Sequence, residues 1–313
     1  MAISTSINFT VTRDQIIKKA LQSLGVLGEG EDPNSEQIDD AAFVLNGIIK
    51  AWQADGLNLF AVQRLYLFPE KGQHEYSIGP SASTNITAAY RSTTVAADAS
   101  GTTLTVDDDV SFVAGDYVGV QLDGTTVQWT TVDSVTNSTE VELADSLSST
   151  AAEGNTVFVY TTKANRPMKV LEGYTTVGNT EIPVGVISRT DYNTLGVKTT
   201  DGIITQMYYD PQIGTGKLFV YPEASSELNF VTLFVQKTLA DLDAATDNPE
   251  VPQEWYLALA YNLAEALVPD YGTPTQDAAK VERLAKKYYD MAYFFDNEAG
   301  TSIILQPNTL ESF

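Results

Sequence analysis

Cysteine is absent from this sequence, and histidine occurs once, as His74. Without cysteine there are no disulfides and no thiolate metal sites, although the compartment stays open, because such a chain tolerates oxidising and reducing surroundings alike. A single histidine excludes a histidine-based metal cluster. Any acid–base role would rest on His74 alone, and a structural or surface role is the simpler reading. No stretch of about 18 apolar residues occurs, and no charged-then-apolar segment opens the chain, so neither a membrane span nor a signal peptide is expected. Missing too are the Walker sequence, the G-x-S-x-G elbow, H-E-x-x-H and the Rossmann glycine fingerprint. Gly214-Thr215-Gly216 is a lone glycine pair in a turn, too weak for a phosphate loop. No cofactor, no metal and no catalytic residue is expected.

Positive charge is scarce: 18 Lys and Arg face 41 Asp and Glu, for a net charge of -23. A surface this acidic repels phosphates, which argues against a nucleic-acid binder that reads sequence. The same repulsion would suit a channel through which DNA slides without sticking; simple solubility is the bland alternative. The scarcity is complete over residues 92–162, which hold eleven Asp and Glu and no Lys or Arg.

What is present is organised around residues 251–270, VPQEWYLALAYNLAEALVPD, the one long apolar segment with helical periodicity, a start and a stop. Pro252 suits a first helical turn and Glu254 its positive end. Trp255, Leu259, Asn262, Leu263, Ala266 and Leu267 recur at three- and four-residue steps, and Pro269 with Gly272 predicts the stop. Thr12 and Gln15 have capping-box spacing before a helix to about Leu24, and Asn34 and Gln37 repeat it before a second helix to about Asp55. A last helix is expected over roughly 275–297, with Val281, Leu284, Ala285, Tyr288, Met291, Ala292 and Phe295 on its apolar face and Tyr289, Tyr293 and Phe294 widening it.

The rest reads as strands. Asn58 to Phe68 and HEYSI suggest a hairpin. MKVLEGYTTV, EIPVGVIS, IITQMYYD, KLFVYP and LNFVTLFVQ suggest an antiparallel meander or small barrel, with one helical turn at RTDYNTL. Residues 92–162 alternate as TTLTVDD, DYVGVQL, TVQWTTVDSV, TEVELA and NTVFVYTT, with an Asp123-Gly124 turn, and read as an all-β insertion, sandwich or small barrel, on a neck at Tyr90 and Lys163. The expected fold class is α+β: a helical bundle of an N-terminal helix pair and two C-terminal helices, with an antiparallel β meander or barrel and an inserted all-β domain. The expected segments are 1–57 for the first helices, 58–91 with 163–250 for the β-rich domain, 92–162 for the insertion, 251–299 for the last helices and 300–313 for an extended tail.

Candidate chemistry is thin. Asp107, Asp108 and Asp109 could help hold calcium, but the spaced ligands of an EF-hand are missing and a solvated acidic turn is the better reading. Two carboxylates facing each other across a cleft would suffice for glycoside hydrolysis, against the plain reading of scattered solubilising charge. The aromatic residues of the last helix could stack sugars, but core or subunit contact is the commoner use of such spacing. The last helix and the tail GTSIILQPNTLESF carry more apolar surface than a monomer would bury.

The stretch RDQIIKKALQSLGVLGEGEDPNSEQIDDAAFVLNGIIKAWQADGLNLF, a helix ending in L-G, an acidic loop and a helix ending in W-x-x-x-G, resembles the head-to-tail adaptor (connector, head-completion) proteins of short-tailed bacteriophages. This family includes packaged-DNA stabilisation proteins and tail tubular protein A. The likeness continues in VPQEWYLALAYNLAEALVPDYG, the Tyr-rich last helix and SIILQPNTL, and covers roughly half the chain. It implies a structural virion protein without catalysis, at the head–tail junction after assembly in the host cytoplasm. It further implies a ring, usually a dodecamer, bridging the portal protein and the tail nozzle protein, with double-stranded DNA passing through and no membrane contact. In that reading Trp52, Trp255, Leu259, Tyr288, Tyr293 and Phe295 anchor the bundle or its subunit interface. Ile303, Ile304, Leu305, Pro307, Leu310 and Phe313 dock on the portal or a neighbouring subunit. Small members of the family lack anything like residues 92–162, which could meet a tail fibre or tailspike. The alternative is a β-rich glycan- or receptor-binding module of a tail or surface protein.

Overall fold

The structure, a computed structural model, describes residues 9–55 and 59–295. The chain divides into two compact units, one made by its segments up to Phe60 and from Leu239 onward, the other by Ala61–Thr238. The first unit opens with α1 (Arg13–Ser23), where the Gln15 N–H donates to Thr12 Oγ1 and the Thr12 N–H to Gln15 Oε1. In α2 (Ser35–Ala54) Asn34 and Gln37 make the same reciprocal pair, at 2.9 and 3.0 Å. These boxes satisfy donors that the first helical turn leaves free. Ile16, Ile17, Ala20 and Leu21 of α1, and Ala41, Ala42, Leu45 and Ile49 of α2, are buried at helical steps.

The second unit follows with β1 (Val62–Leu67), β2 (Glu75–Ile78), β3 (Ile86–Thr87), β4 (Arg91–Thr94), β5 (Thr103–Thr105) and β6 (Tyr117–Gln121). Next come β7 (Val127–Asn137), β8 (Glu140–Leu143), β9 (Thr156–Tyr160), β10 (Lys169–Val177), β11 (Thr180–Val186) and the short helix α3 (Arg189–Thr194). It ends with β12 (Asp201–Gly202), β13 (Gln206–Asp210), β14 (Gly216–Tyr221), β15 (Glu223–Ala224) and β16 (Val231–Gln236). Eight strands form one sheet in the order β2-β14-β13-β11-β10-β16-β1-β3, with β11 and β13 parallel. Leu65, Leu67, Ile78, Leu218, Val220, Val231 and Leu233 lie in its core.

Six strands, β4-β9-β6-β7-β8-β5, form the other large sheet. Its two edges meet: Val95 bridges Val106, the Ala96 N–H donates to the Thr105 carbonyl and the Asp107 N–H to the Thr94 carbonyl, both at 2.9 Å. The sheet therefore curls to a near-closed barrel around a valine-rich core that includes Val95, Val118, Val120, Val132, Val141, Val157 and Val159. Closure removes most of the open edge that a free sheet would present.

After Thr238 the chain returns to the first unit and builds α4 (Tyr256–Tyr271) and α5 (Thr275–Phe295). Helix α4 contacts α1, α2 and α5. It runs past Pro269, where a stop was expected, and ends at Gly272, whose φ of 58° and ψ of 37° give the left-handed cap.

The expected fold class is corrected by this arrangement. A helical bundle with an appended meander and an inserted β domain is not the architecture; helix makes up only 28% of the described chain, and the two large sheets dominate. The larger sheet is not a meander either, since β1 pairs with β16 and β11 with β13. The physical reason lies in the lengths of the elements. Helices of 11 to 21 residues stand out one by one in a sequence, whereas strands of two to eleven residues, most of six or fewer and broken by turns, do not, although among the described residues they add up to at least as much structure.

Candidate functional site

Strand alternation gives the eight-stranded sheet two unlike faces. In β1, β16, β10 and β11, residues such as Leu65, Leu233, Val235 and Val184 point to the core. The opposite face presents Arg64, Phe234, Glu172, Tyr174, Glu181 and Pro183. Register places Phe234 between Arg64 on β1 and Glu172 on β10, and sets Tyr174 opposite Pro183 on β11. A bulge between Val170 and Glu172 leaves Leu171 48% exposed.

A cavity of about 270 Å³ is lined here by Glu172, Gly173, Tyr174, Glu181, Pro183 and Phe234. The Tyr174 and Phe234 rings are 6.1 Å apart at 49°, and the Arg64 guanidinium lies 5.2 Å from the Phe234 centroid. Among the described residues, neither Glu172 nor Glu181 makes a side-chain hydrogen bond or ion pair. Two carboxylates without a hydrogen-bond partner, Glu181 within electrostatic reach of Arg64, beside two aromatic rings suit a cationic group. The alternation of KVLEGYTTV and TEIPVGV shows which residues share a face, but the pairing of β10 with β16 and the bulge at Leu171 are invisible in sequence, so this group was not expected.

The helical unit gathers four of the six residues expected in a bundle or interface. The Trp52 ring lies 5.4 Å from Trp255 and 5.3 Å from Tyr289, and Phe60 lies 5.8 Å from Trp255. Tyr288 stacks on Tyr261 at 5.1 Å. Asn262, the polar interruption of α4, donates from Nδ2 to the Ala258 and Ala285 carbonyls and so links α4 to α5. Trp255 and Leu259 are fully buried within the unit. Tyr293 is part-exposed. Met291, expected on the apolar face, is 59% exposed, and Phe294 and Phe43 are 73% and 82% exposed. The side chain of Phe295, together with Ile303, Ile304, Leu305, Pro307, Leu310 and Phe313, lies outside the described residues.

The six-stranded barrel joins the larger sheet through an aromatic seam. Phe68, Phe158 and Tyr160 are buried there, with Tyr66, Tyr90, Trp129 and Phe230 packed around them. Tyr160 donates its hydroxyl hydrogen to Asn85 Oδ1 at 2.8 Å. Glu227 accepts the Val127 N–H at 2.6 Å and the Lys71 N–H at 3.0 Å, tying the β6–β7 hairpin to the β1–β2 loop. Burial, and then the Glu227 charge, push the neighbouring Glu70 carboxyl above the usual range.

His74 Nδ1 lies 3.0 Å from Glu223 Oε1, a structural link from the residue before β2 to β15. Asp107 accepts from Thr94 and Asp109 from the Ser111 N–H, and among the described residues no group of three or more acidic or histidine side chains is placed to hold a metal ion. No described helix is long and apolar enough to cross a membrane. No protein-family model matches the chain, and no curated protein matches it.

Proposed function

We propose that this chain is a structural virion protein, a head-to-tail adaptor that assembles as a ring beneath the portal of a short-tailed phage and bridges it to the tail nozzle. The observation that supports this reading most is the exposed apolar surface of the helices that bear the family resemblance. Phe43 on α2 stands largely in solvent, and Met291 and Phe294, three residues apart on α5 and so neighbours on its surface, form a small exposed apolar patch of the kind a protein partner covers. The acidity supports passage of DNA without retention, since like charges repel along such a channel. The ring would be a homo-oligomer, a dodecamer, located at the head–tail junction, and the six-stranded barrel would be the part that meets a tail fibre or tailspike.

The test is native mass spectrometry of the protein alone and mixed with a candidate portal ring. The expected result is joining in a fixed multiple. A chain that ignores portal rings and instead binds a glycan would overturn the adaptor reading in favour of a receptor-binding module.

A further inference from the structure

We infer that the cavity on the β1–β16–β10–β11 face receives the basic outer face of α5 from a second copy of this chain, so that the sheet of one subunit meets the helix of the next. The inference rests on the ring reading, because a contact between two different surfaces of identical subunits repeats head to tail and closes by rotation.

The receiving surface is selective. Glu172 and Glu181 flank the splayed Tyr174 and Phe234 rings in a cavity of about 270 Å³. Arg64, 5.2 Å from the Phe234 centroid, already shows one face of that ring holding a guanidinium. A second planar cation entering from the cavity side would meet carboxylates it can bridge and rings it can stack on.

The donor must be cationic, and on this chain cations are rare. Several are held in ion pairs: Arg13 with Asp14, Lys18 with Asp32, Lys50 with Asp241, Arg91 with Asp116, Arg189 with Asp210 and Lys217 with Glu75. The densest run of positive charge in the sequence is 280–287, KVERLAKK, on α5. Val281 and Ala285 of this run face the core, while Arg283, Lys286 and Lys287 are exposed. Lys280 pairs with Asp277 and Lys287 lies 5.6 Å from the Tyr288 ring, whereas among the described residues Arg283 and Lys286 have no ion pair.

The two surfaces also match in their apolar parts. Exposed Met291 and Phe294 follow the basic run on α5, and exposed Pro183 lines the cavity beside the Tyr174 and Phe234 rings. Glu172 and Glu181 on the sheet and Arg283 and Lys286 on α5 lie on different elements, so that two copies can pair them.

The experiment uses the full chain with two exposed-surface variants, Glu172→Lys with Glu181→Lys, and Arg283→Glu with Lys286→Glu, each checked for its native circular dichroism. Self-association is read by sedimentation velocity at low and high salt over a concentration series. The wild type should associate, more weakly in high salt. Each variant should associate about thirtyfold more weakly or worse, as expected when close interfacial charge pairs are lost. An equal mixture of the two variants should recover association, because the reversed charges match across unlike copies. Variants that associate like the wild type, a mixture that stays monomeric, or a wild type that never associates would each overturn the contact. Portal binding is measured separately, so loss of portal binding with self-association intact counts against the adaptor reading and not against the sheet-to-helix contact.

Discussion

Arg91 acts as a fixed cation at the neck of the six-stranded barrel. Its Nη1 donates to the Val110 and Ser111 carbonyls at 2.7 and 2.6 Å, and its Nη2 to Asp116 Oδ2 at 2.8 Å. The Asp116 side chain has no solvent exposure, and removing its cation would leave a buried charge. Arg91→Met is therefore expected to cost about 3–5 kcal/mol in urea unfolding, and Lys at this position to recover only part of it, because a point charge cannot serve two carbonyls and a carboxylate together. At Gly173 an added Cβ would come 2.7 Å from the Thr232 carbonyl oxygen and 3.0 Å from Met207. Gly173→Ala should lower stability by about 1–3 kcal/mol, measured by the same melts. Glu265 gives a pH-dependent case: although the residue is exposed, partial desolvation, and then the Glu282 charge, push its carboxyl above the usual range. Because the folded-state value is raised, the stabilisation belongs to the protonated form; it is complete below about pH 4 and is lost as pH rises through the folded value. Glu265→Gln should thus raise the thermal midpoint at pH 7 and leave it unchanged near pH 4. At this scale the sequence was partly readable. The cation-free stretch begins one residue after Arg91, but nothing local points to Arg91 itself or to its buried partner 25 residues on.

Elements were more legible than their arrangement. Thr12 with Gln15 and Asn34 with Gln37 are local patterns, and both form the boxes their spacing predicts. Thr12→Ala should cost about 1 kcal/mol, seen as a lower unfolding midpoint, since it removes the acceptor for a first-turn donor. The helical turn at RTDYNTL forms as α3, with Ser188 capping it. Of the two residues that predict the stop, Pro269 sits inside the last turn, although proline is usually excluded from helix interiors, and Gly272 sets the end as expected. Strand partners were not legible. Alternation in NLFAVQRLYLF and LNFVTLFVQ reveals two half-buried strands, but nothing local says that Val62 pairs with Gln236 or that β11 runs parallel to β13. Such pairings are decided by which apolar faces close a common core, and local propensity does not encode them. Hence the fold class was misjudged while most of its pieces were recognised.

At the scale of the molecule, Ala61–Thr238 enters and leaves through neighbouring strands: Val62 pairs with Gln236, and the Lys237 N–H donates to the Ala61 carbonyl at 2.9 Å. Both large sheets close their cores within this segment. Residues 61–238 expressed as a separate chain should fold, with near-ultraviolet circular dichroism and a single cooperative melt; a collapsed species without fixed aromatic signals would contradict this. The helical unit has the opposite character, because α1 and α2 pack with α4 across the whole intervening segment. During synthesis α1 and α2 therefore leave the ribosome well before their packing partner. At 5–20 residues per second the wait is on the order of 10–40 s, time in which the second unit can complete its core while the buried stripe of α1 is still open to chaperones.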